Sequence, residues 1–289
     1  MLALDAAAPG CYIRGVNDLE ISAEVGRFAR CGRLRIHYRD LGAGEPTLVF
    51  VHGWGGSGEF WRANAPAFAE RQRVLLLDLP GHGASEPPPG DCTLELFSEA
   101  LAAVLREAGV ARAVLIGHSL GTAVVCRFLR DHPEQVQALV TVDGALFGYA
   151  VPPTQREEFL SQFRGPNYRA AVTKFIRALF RQRCNPDLRE RICEDILRTP
   201  QAVLVSAFAG LLDAASWELA AVPVPLLMLN APSPLWHETY LVRVRAVAPQ
   251  LEYRIVPGAG HFLMLEKPAA FNAALAEFLA RLPAASPGA

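Results

Sequence analysis

The sequence predicts an α/β fold: a mostly parallel central sheet flanked by helices, with a helical segment inserted into it. Three observations carry this. Short aliphatic or β-branched runs recur between longer stretches of helical periodicity, the pattern of strand–helix–strand units. The runs TLVFV, RVLLLD, AVLIG and LVTVD are nearly unbroken in apolar residues, as expected of strands covered on both faces by helices. The alternation then stops between about Phe147 and Asp213, where helical segments follow one another with no strand between them.

In chain order, strands are expected at Leu34 to Tyr38, Thr47 to Val51, Val74 to Asp78, Ala113 to Gly117, Leu139 to Asp143, Pro225 to Leu229 and Leu251 to Val256. Phe97, Leu101, Val104, Leu105 and Ala108 recur at spacings of three and four, marking one apolar helix face that should pack on the sheet. REEFLSQF, YRAAVTKFIRALFRQ, LRERICEDILR and AVLVSAFAGLLD read as four helices, with VPP at 151–153 and RTPQ at 198–201 as punctuation. The chain thus divides into a core of residues 1–145 and 216–289 and an inserted helical cap of residues 146–215. The cap is expected over the sheet's C-terminal edge, where open α/β sheets bind ligands. A last helix should begin near Lys267 and Pro268. No internal repeat is visible, and the Pro/Ala/Gly tail after Leu282 is expected to fray.

Composition narrows the functional classes. With 289 residues, 51% of them hydrophobic and 20% charged, the chain can bury a large core and is not expected to be disordered. The formal net charge is −1 and basic residues are scattered, which removes the electrostatic footprint of nucleic-acid binding. No apolar run approaches the length of a membrane span. The start, MLALDAAAPG, lacks a positively charged region before an apolar stretch, so no secretion signal and a cytoplasmic location are expected. Cys11, Cys31, Cys92, Cys126, Cys184 and Cys193 are widely spaced with no metal-ligand pattern; reduced thiols and no metal are expected.

Three motifs carry chemistry. In VLIGHSLGTAVV, Gly117, Ser119 and Gly121 form G-x-S-x-G between an apolar strand and a helical run. Glycines two before and two after remove side chains that would collide in so tight a turn, and Ser119 is held up at the strand's end. The helix starting at Leu120 turns its N-terminal N–H groups and positive dipole end toward the place where an oxyanion would develop, with the Leu120 N–H as one donor. The alternative is a serine that only caps its helix. In FVHGWGGSGEFW, the glycine-rich stretch after the second strand brings backbone N–H groups near a ligand; the Trp54 N–H is the candidate second donor, and its indole either walls the pocket or packs in the core. In RIVPGAGHFLMLEKP, His261 sits in a loop at a strand's C-terminal end, and an imidazole titrating near neutrality suits a base that takes and returns a proton.

Together, HGWGG, DLPGHGAS, GHSLG and GAGHF resemble the α/β-hydrolase family, specifically its capped serine hydrolase and esterase branch, over nearly the whole chain outside the inserted segment. The resemblance implies a nucleophile, an acid and a base in the order Ser119, acid, His261, with oxyanion donors at Trp54 and Leu120 and no cofactor. Asp78 and His82 are read as residues that hold loops near the site. The chain departs from the family at the acid, which often follows the next-to-last strand in a G-x-x-D loop. Here the loop is LLMLNAPSPLW, with Asn230 where the glycine often sits and Ser233 where the carboxylate is expected. A hydroxyl does not stabilise an imidazolium as a carboxylate does. Asp143 ends the strand after the nucleophile, a place from which some family members draw their acid; it is the first candidate, ahead of Glu238 and Asp213.

The expected chemistry is acyl transfer to water on an ester, thioester or lactone, through an acyl-enzyme. The same site could cleave a C–C bond beside a carbonyl or act as a cofactor-free perhydrolase or lyase. Dehalogenase or epoxide hydrolase chemistry is disfavoured, since those relatives place Asp at the nucleophile. A ligand receptor on the same fold is the reading from another class. Phe159, Phe163, Tyr168, Phe175 and Phe180 point to a small molecule with an apolar acyl group, although such residues are more often core than substrate contacts.

Overall fold

The computed structural model describes residues 26–148, 152–181 and 184–283. The N-terminal stretch, Cys11, Val151 at the start of the inserted segment and the tail beyond Pro283 lie outside these residues. Eight strands form one sheet: β1 (Arg27–Cys31), β2 (Leu34–Leu41), β3 (Leu48–Val51), β4 (Val74–Leu77), β5 (Ala113–His118), β6 (Val136–Val142), β7 (Leu226–Asn230) and β8 (Leu251–Ile255). Their order across the sheet is β1-β2-β4-β3-β5-β6-β7-β8. β3 to β8 run parallel, and β2 pairs antiparallel with both β1 and β4.

The expected strands are all present, shifted by up to three residues at their ends. β1 is the addition. Its alternation is short, with Ala29 and Cys31 facing in and three residues facing out or partly out, and no long apolar run announces it. It forms because Gly32 takes φ +57 in the tight turn to β2, a conformation open to glycine at no steric cost. β3, β4, β5 and β6 are buried throughout, which is why they read as unbroken apolar runs.

The helices are α1 (Ala65–Ala69), α2 (Leu94–Glu107), α3 (Leu120–Asp131), α4 (Pro153–Arg164), α5 (Tyr168–Ala178), α6 (Pro186–Ile196), α7 (Gln201–Leu211), α8 (Glu238–Val247), α9 (Leu263–Glu266) and α10 (Pro268–Leu279). The Thr93 hydroxyl caps α2 by accepting from Leu96 N–H, and the helix buries Phe97, Leu101, Val104 and Leu105 against α3 and β1. α3 packs on β5, the strand that feeds it. α10 lies on β7, with Phe271 against Trp61. Between β6 and β7 stand α4 to α7, packed on one another, and α7 also touches α2 and α3. The turn from β3 to α1 and the turn from β5 to α3 open at the same sheet edge, as parallel neighbours must, and β3 lies between β4 and β5, both of which follow it in sequence.

Candidate active site

Ser119 stands at the joint of β5 and α3 with φ 52 and ψ −114, outside the regions open to ordinary L-residues at no cost. The strain is held by its surroundings. The Ser119 N–H donates to Val142 O at 3.1 Å and its carbonyl accepts from Thr122 N–H at 2.9 Å. A Cβ at Gly117 would collide with the backbone of Gly121, and one at Gly121 with the carbonyls of Val51 and His52. Both glycines are required by close approach rather than by φ. Leu120 is the first residue of α3, so its N–H has no carbonyl one turn back within the helix.

Asp143 follows β6 directly and takes φ 43, a region that Asp and Asn visit more readily than most residues. Its N–H donates to Leu229 O and its Oδ1 accepts from Ala231 N–H, both at 2.8 Å. Two bonds to β7 and the loop after it therefore fix the carboxylate. Its Oδ2 lies 2.7 Å from His261 Nδ1. A carboxylate there accepts a hydrogen bond from Nδ1–H, fixing that tautomer and leaving Nε2 as the basic nitrogen.

Three groups that the sequence reading did not single out hold His261. The Glu266 carboxylate accepts from Gly260 N–H at 3.0 Å and Phe262 N–H at 3.2 Å, bracketing the histidine. Burial pushes the Glu266 carboxyl up from its ordinary range, against these hydrogen bonds, which pull it down. His118 Nε2 donates to the His261 carbonyl at 2.9 Å, with the two rings 4.7 Å apart. His118 is wholly buried; burial first, and then the neighbouring His261, hold it well below the usual imidazole range, so it is neutral. The His261 N–H donates to Leu179 O, just past α5. His118 and Leu179 are distant from His261 in sequence and Glu266 is five residues on; only the residue types GHS and HFLMLE, seen after the fact, hint at them.

The glycine-rich stretch after β3 closes a turn through Gly56 N–H to Gly53 O at 3.0 Å, and the Trp54 N–H, inside that turn, takes no part in it. The indole serves packing: its Nε1–H donates to Leu204 O of α7 at 2.7 Å, and its ring meets Phe163, Phe175 and Phe208. It also lines the pocket, so both sequence alternatives for Trp54 hold at once. Behind it, His52 accepts from Leu79 N–H on Nε2, which leaves Nδ1–H for Gly53 O. Asp78 accepts from Gly58 N–H, Ala84 N–H and His37 Nδ1. Burial alone would raise the Asp78 carboxyl, but the His37 bond, the His52 charge and the backbone donors outweigh it and bring it below the usual range. Asp78 and His82 thus sit in the loops beneath the glycine-rich stretch, and His82 binds Pro80 O.

Ser119, His261, Asp143 and Trp54 all line one cavity of about 560 Å³. Most of the rest of its wall is apolar, from Phe175, Phe180, Phe208, Leu211, Trp236 and Phe262. Ser233 also lines it and caps its own turn by accepting from Leu235 N–H. Glu238 is exposed and paired with Arg245, and Asp213 is exposed before β7; neither lines the cavity. Among the described residues no group of three or more His, Cys, Asp or Glu could hold a metal ion, and no helix is long and apolar enough to cross a membrane.

The profile of the alpha/beta hydrolase fold matches residues 46–268. The chain is 30% identical over 254 residues to the pimeloyl-[acyl-carrier protein] methyl ester esterase of Edwardsiella ictaluri, covering 84% of this chain and 96% of that protein. It is 34% identical over 142 residues to the dihydrolipoyllysine-residue acetyltransferase component of the acetoin cleaving system of Cupriavidus necator. That match covers 49% of this chain and spans only 38% of the relative's length. Among solved structures, a thermophilic esterase from Thermogutta terrifontis superimposes with a TM-score of 0.79 at 23% identity, over 89% of this chain and 98% of the other. At that identity the likeness is one of fold.

Proposed function

Since the chain belongs to the alpha/beta hydrolase fold family, we propose that it is a serine hydrolase of carboxylic esters, thioesters or lactones, with Ser119 as nucleophile, His261 as base and Asp143 as the acid that orients it. The observation that carries the reading is the 2.7 Å contact of Asp143 Oδ2 with His261 Nδ1 in a cavity that Ser119 also lines. In this mechanism Ser119 Oγ attacks the carbonyl carbon while His261 Nε2 takes its proton. The oxyanion is met by the N–H groups of Trp54 and Leu120, and the imidazolium faces the Asp143 carboxylate. His261 returns the proton to the leaving alcohol, thiol or enol. A water deprotonated by the same nitrogen then attacks the acyl-enzyme and frees the acid. In this reading α4 to α7 form a cap over the site, and the apolar wall takes an acyl chain. Glu266 and His118 act through His261 as positioning residues, since both hold the backbone of its loop rather than the reacting atoms.

The test is labelling by a fluorophosphonate, whose phosphorus accepts the activated serine as a carbonyl does. One adduct per chain is expected on the peptide containing Ser119, and none on Ser119→Ala. An adduct mapped to another residue, or no adduct on folded protein, overturns the assignment.

A further inference from the structure

One cation lines the cavity and is paired with no carboxylate among the described residues: Arg181, three residues beyond α5. Its Nε–H donates to Ala259 O at 2.9 Å and its Nη2 to Pro232 O at 2.8 Å. The guanidinium is therefore clamped between the loop that carries His261 and the loop that follows β7. Two of its five N–H donors are used on these carbonyls and the others remain. The other charged group on the wall, Asp143, directs its carboxylate to His261 and Ala231 N–H, so Arg181 presents a positive charge that no carboxylate among the described residues engages, at the rim of an otherwise largely apolar wall. A guanidinium fixed by two backbone carbonyls loses little freedom when it binds, and its planar fork matches a carboxylate in two parallel hydrogen bonds.

The neighbouring loop shows why this cation is free. Pro232, whose carbonyl Arg181 holds, precedes Ser233, where the family's G-x-x-D pattern leads one to expect an acid. A carboxylate there would stand beside the guanidinium and neutralise it. With the acid instead on the end of β6, at Asp143, the loop after β7 is uncharged from Asn230 to Trp236, and Ser233 adds a hydroxyl to the same part of the wall. The geometry points to Arg181 as an anchor for a terminal carboxylate on the acyl group, so that the substrate class is the monoester or thioester of a dicarboxylic acid. A single positive charge matches a monoanion better than a phosphate dianion. This rests on the acyl-transfer reading above.

The experiment compares p-nitrophenyl esters of straight-chain acyl groups of four to eight carbons ending in a carboxylate with the same esters ending in a neutral carboxamide of equal shape. The measured quantity is the ratio of kcat/KM for the two at each length. In the unmodified protein the carboxylate series is expected to be favoured at one or two lengths, through KM. Arg181→Gln should lower that ratio by about ten- to a hundredfold, and Arg181→Lys should restore part of it. A clamp that only holds the loops together would change both series alike and would not discriminate Lys from Gln. Ser233→Asp, which leaves the clamp intact, should lower the ratio as well, and it decides the matter if Arg181→Gln does not fold. A wild-type ratio of one or below at every length, or an unchanged ratio in both Arg181→Gln and Ser233→Asp, overturns the anchor. If the protein cleaves both series equally and still takes the fluorophosphonate at Ser119, the anchor alone fails. If it cleaves neither series and takes no label, the acyl-transfer reading fails and takes the anchor with it.

Discussion

At position 143 the backbone turns through φ 43, and the side chain spans from Ala231 N–H to His261 Nδ1. Asn tolerates the same left-handed conformation, so Asp143→Asn changes the charge and acceptor capacity with little change in backbone cost. An amide can present its NH₂ where the carboxylate accepted, which turns the imidazole to the wrong tautomer. We expect Asp143→Asn to lower kcat by about three to four decades with little change in KM, once thermal melts show the variant folded. Glu238→Gln removes only a surface pair with Arg245 and should leave kcat within about twofold, as exposed pairs contribute little. Retention of more than about a tenth of kcat in folded Asp143→Asn would leave a Ser119 and His261 dyad. Ser119 and His261 were legible because each sits in a short motif whose local turn dictates its place. Asp143 was legible only from its position at a strand end beside the nucleophile strand, since its partners lie 88 and 118 residues away. Arg181, Glu266 and His118 were not legible as a group, because their roles arise from contacts with backbone atoms, which no side-chain pattern records.

Among elements, β3 to β7 declared themselves through burial on both faces, which selects unbroken apolar sequence. β1 did not, because a five-residue edge strand with one face outward needs only two inward residues, Ala29 and Cys31. The sequence carries helical character through Gln182, whereas α5 ends at Ala178. There the chain leaves the helix so that Leu179 O can accept from His261 N–H and Phe180 can stack on Phe262 at 4.8 Å; tertiary contacts override local propensity. The helices between β6 and β7 also hold the glycine-rich stretch after β3. Thr199, in the turn between α6 and α7, donates its hydroxyl to Gly55 O at 3.0 Å, and a Cβ on Gly55 would press on Ile196 and Leu204 at 2.6 and 3.0 Å. Thr199→Val keeps the shape, removes the donor and leaves a buried carbonyl unpaired. A loss of about 1–2 kcal/mol in urea unfolding is expected, with faster limited proteolysis in α4 to α7. If neither changes, the helices are held by apolar packing alone.

For the whole molecule, three of its seven histidines are buried in one connected region beneath the site: His52, His82 and His118. The rings of His52 and His82 are 5.1 Å apart. Burial holds all three below the ordinary imidazole range, His82 at about 3, with the His52 charge a lesser cause there. In the unfolded chain each returns to about 6.5. Below that pH the unfolded state binds protons that the native state refuses, so ΔG of unfolding rises with pH in this window. The advantage of the neutral native rings is whole above about pH 6.5 and is lost as pH falls toward the depressed folded values. Each such histidine contributes a slope of up to about 1.4 kcal/mol per pH unit. Between pH 6.5 and 5 most carboxylates are still ionised in both states, so the slope there reports chiefly on histidine. Urea unfolding across that interval should give an uptake of one to three protons on unfolding. His82→Gln keeps a side-chain donor for Pro80 O and removes a titrating ring, and it should lower the uptake by about one proton. A flat stability profile from pH 6.5 to 5, or a slope in His82→Gln equal to that of the unmodified protein, would mean that the buried rings charge in place, with water or rearranged loops accommodating them.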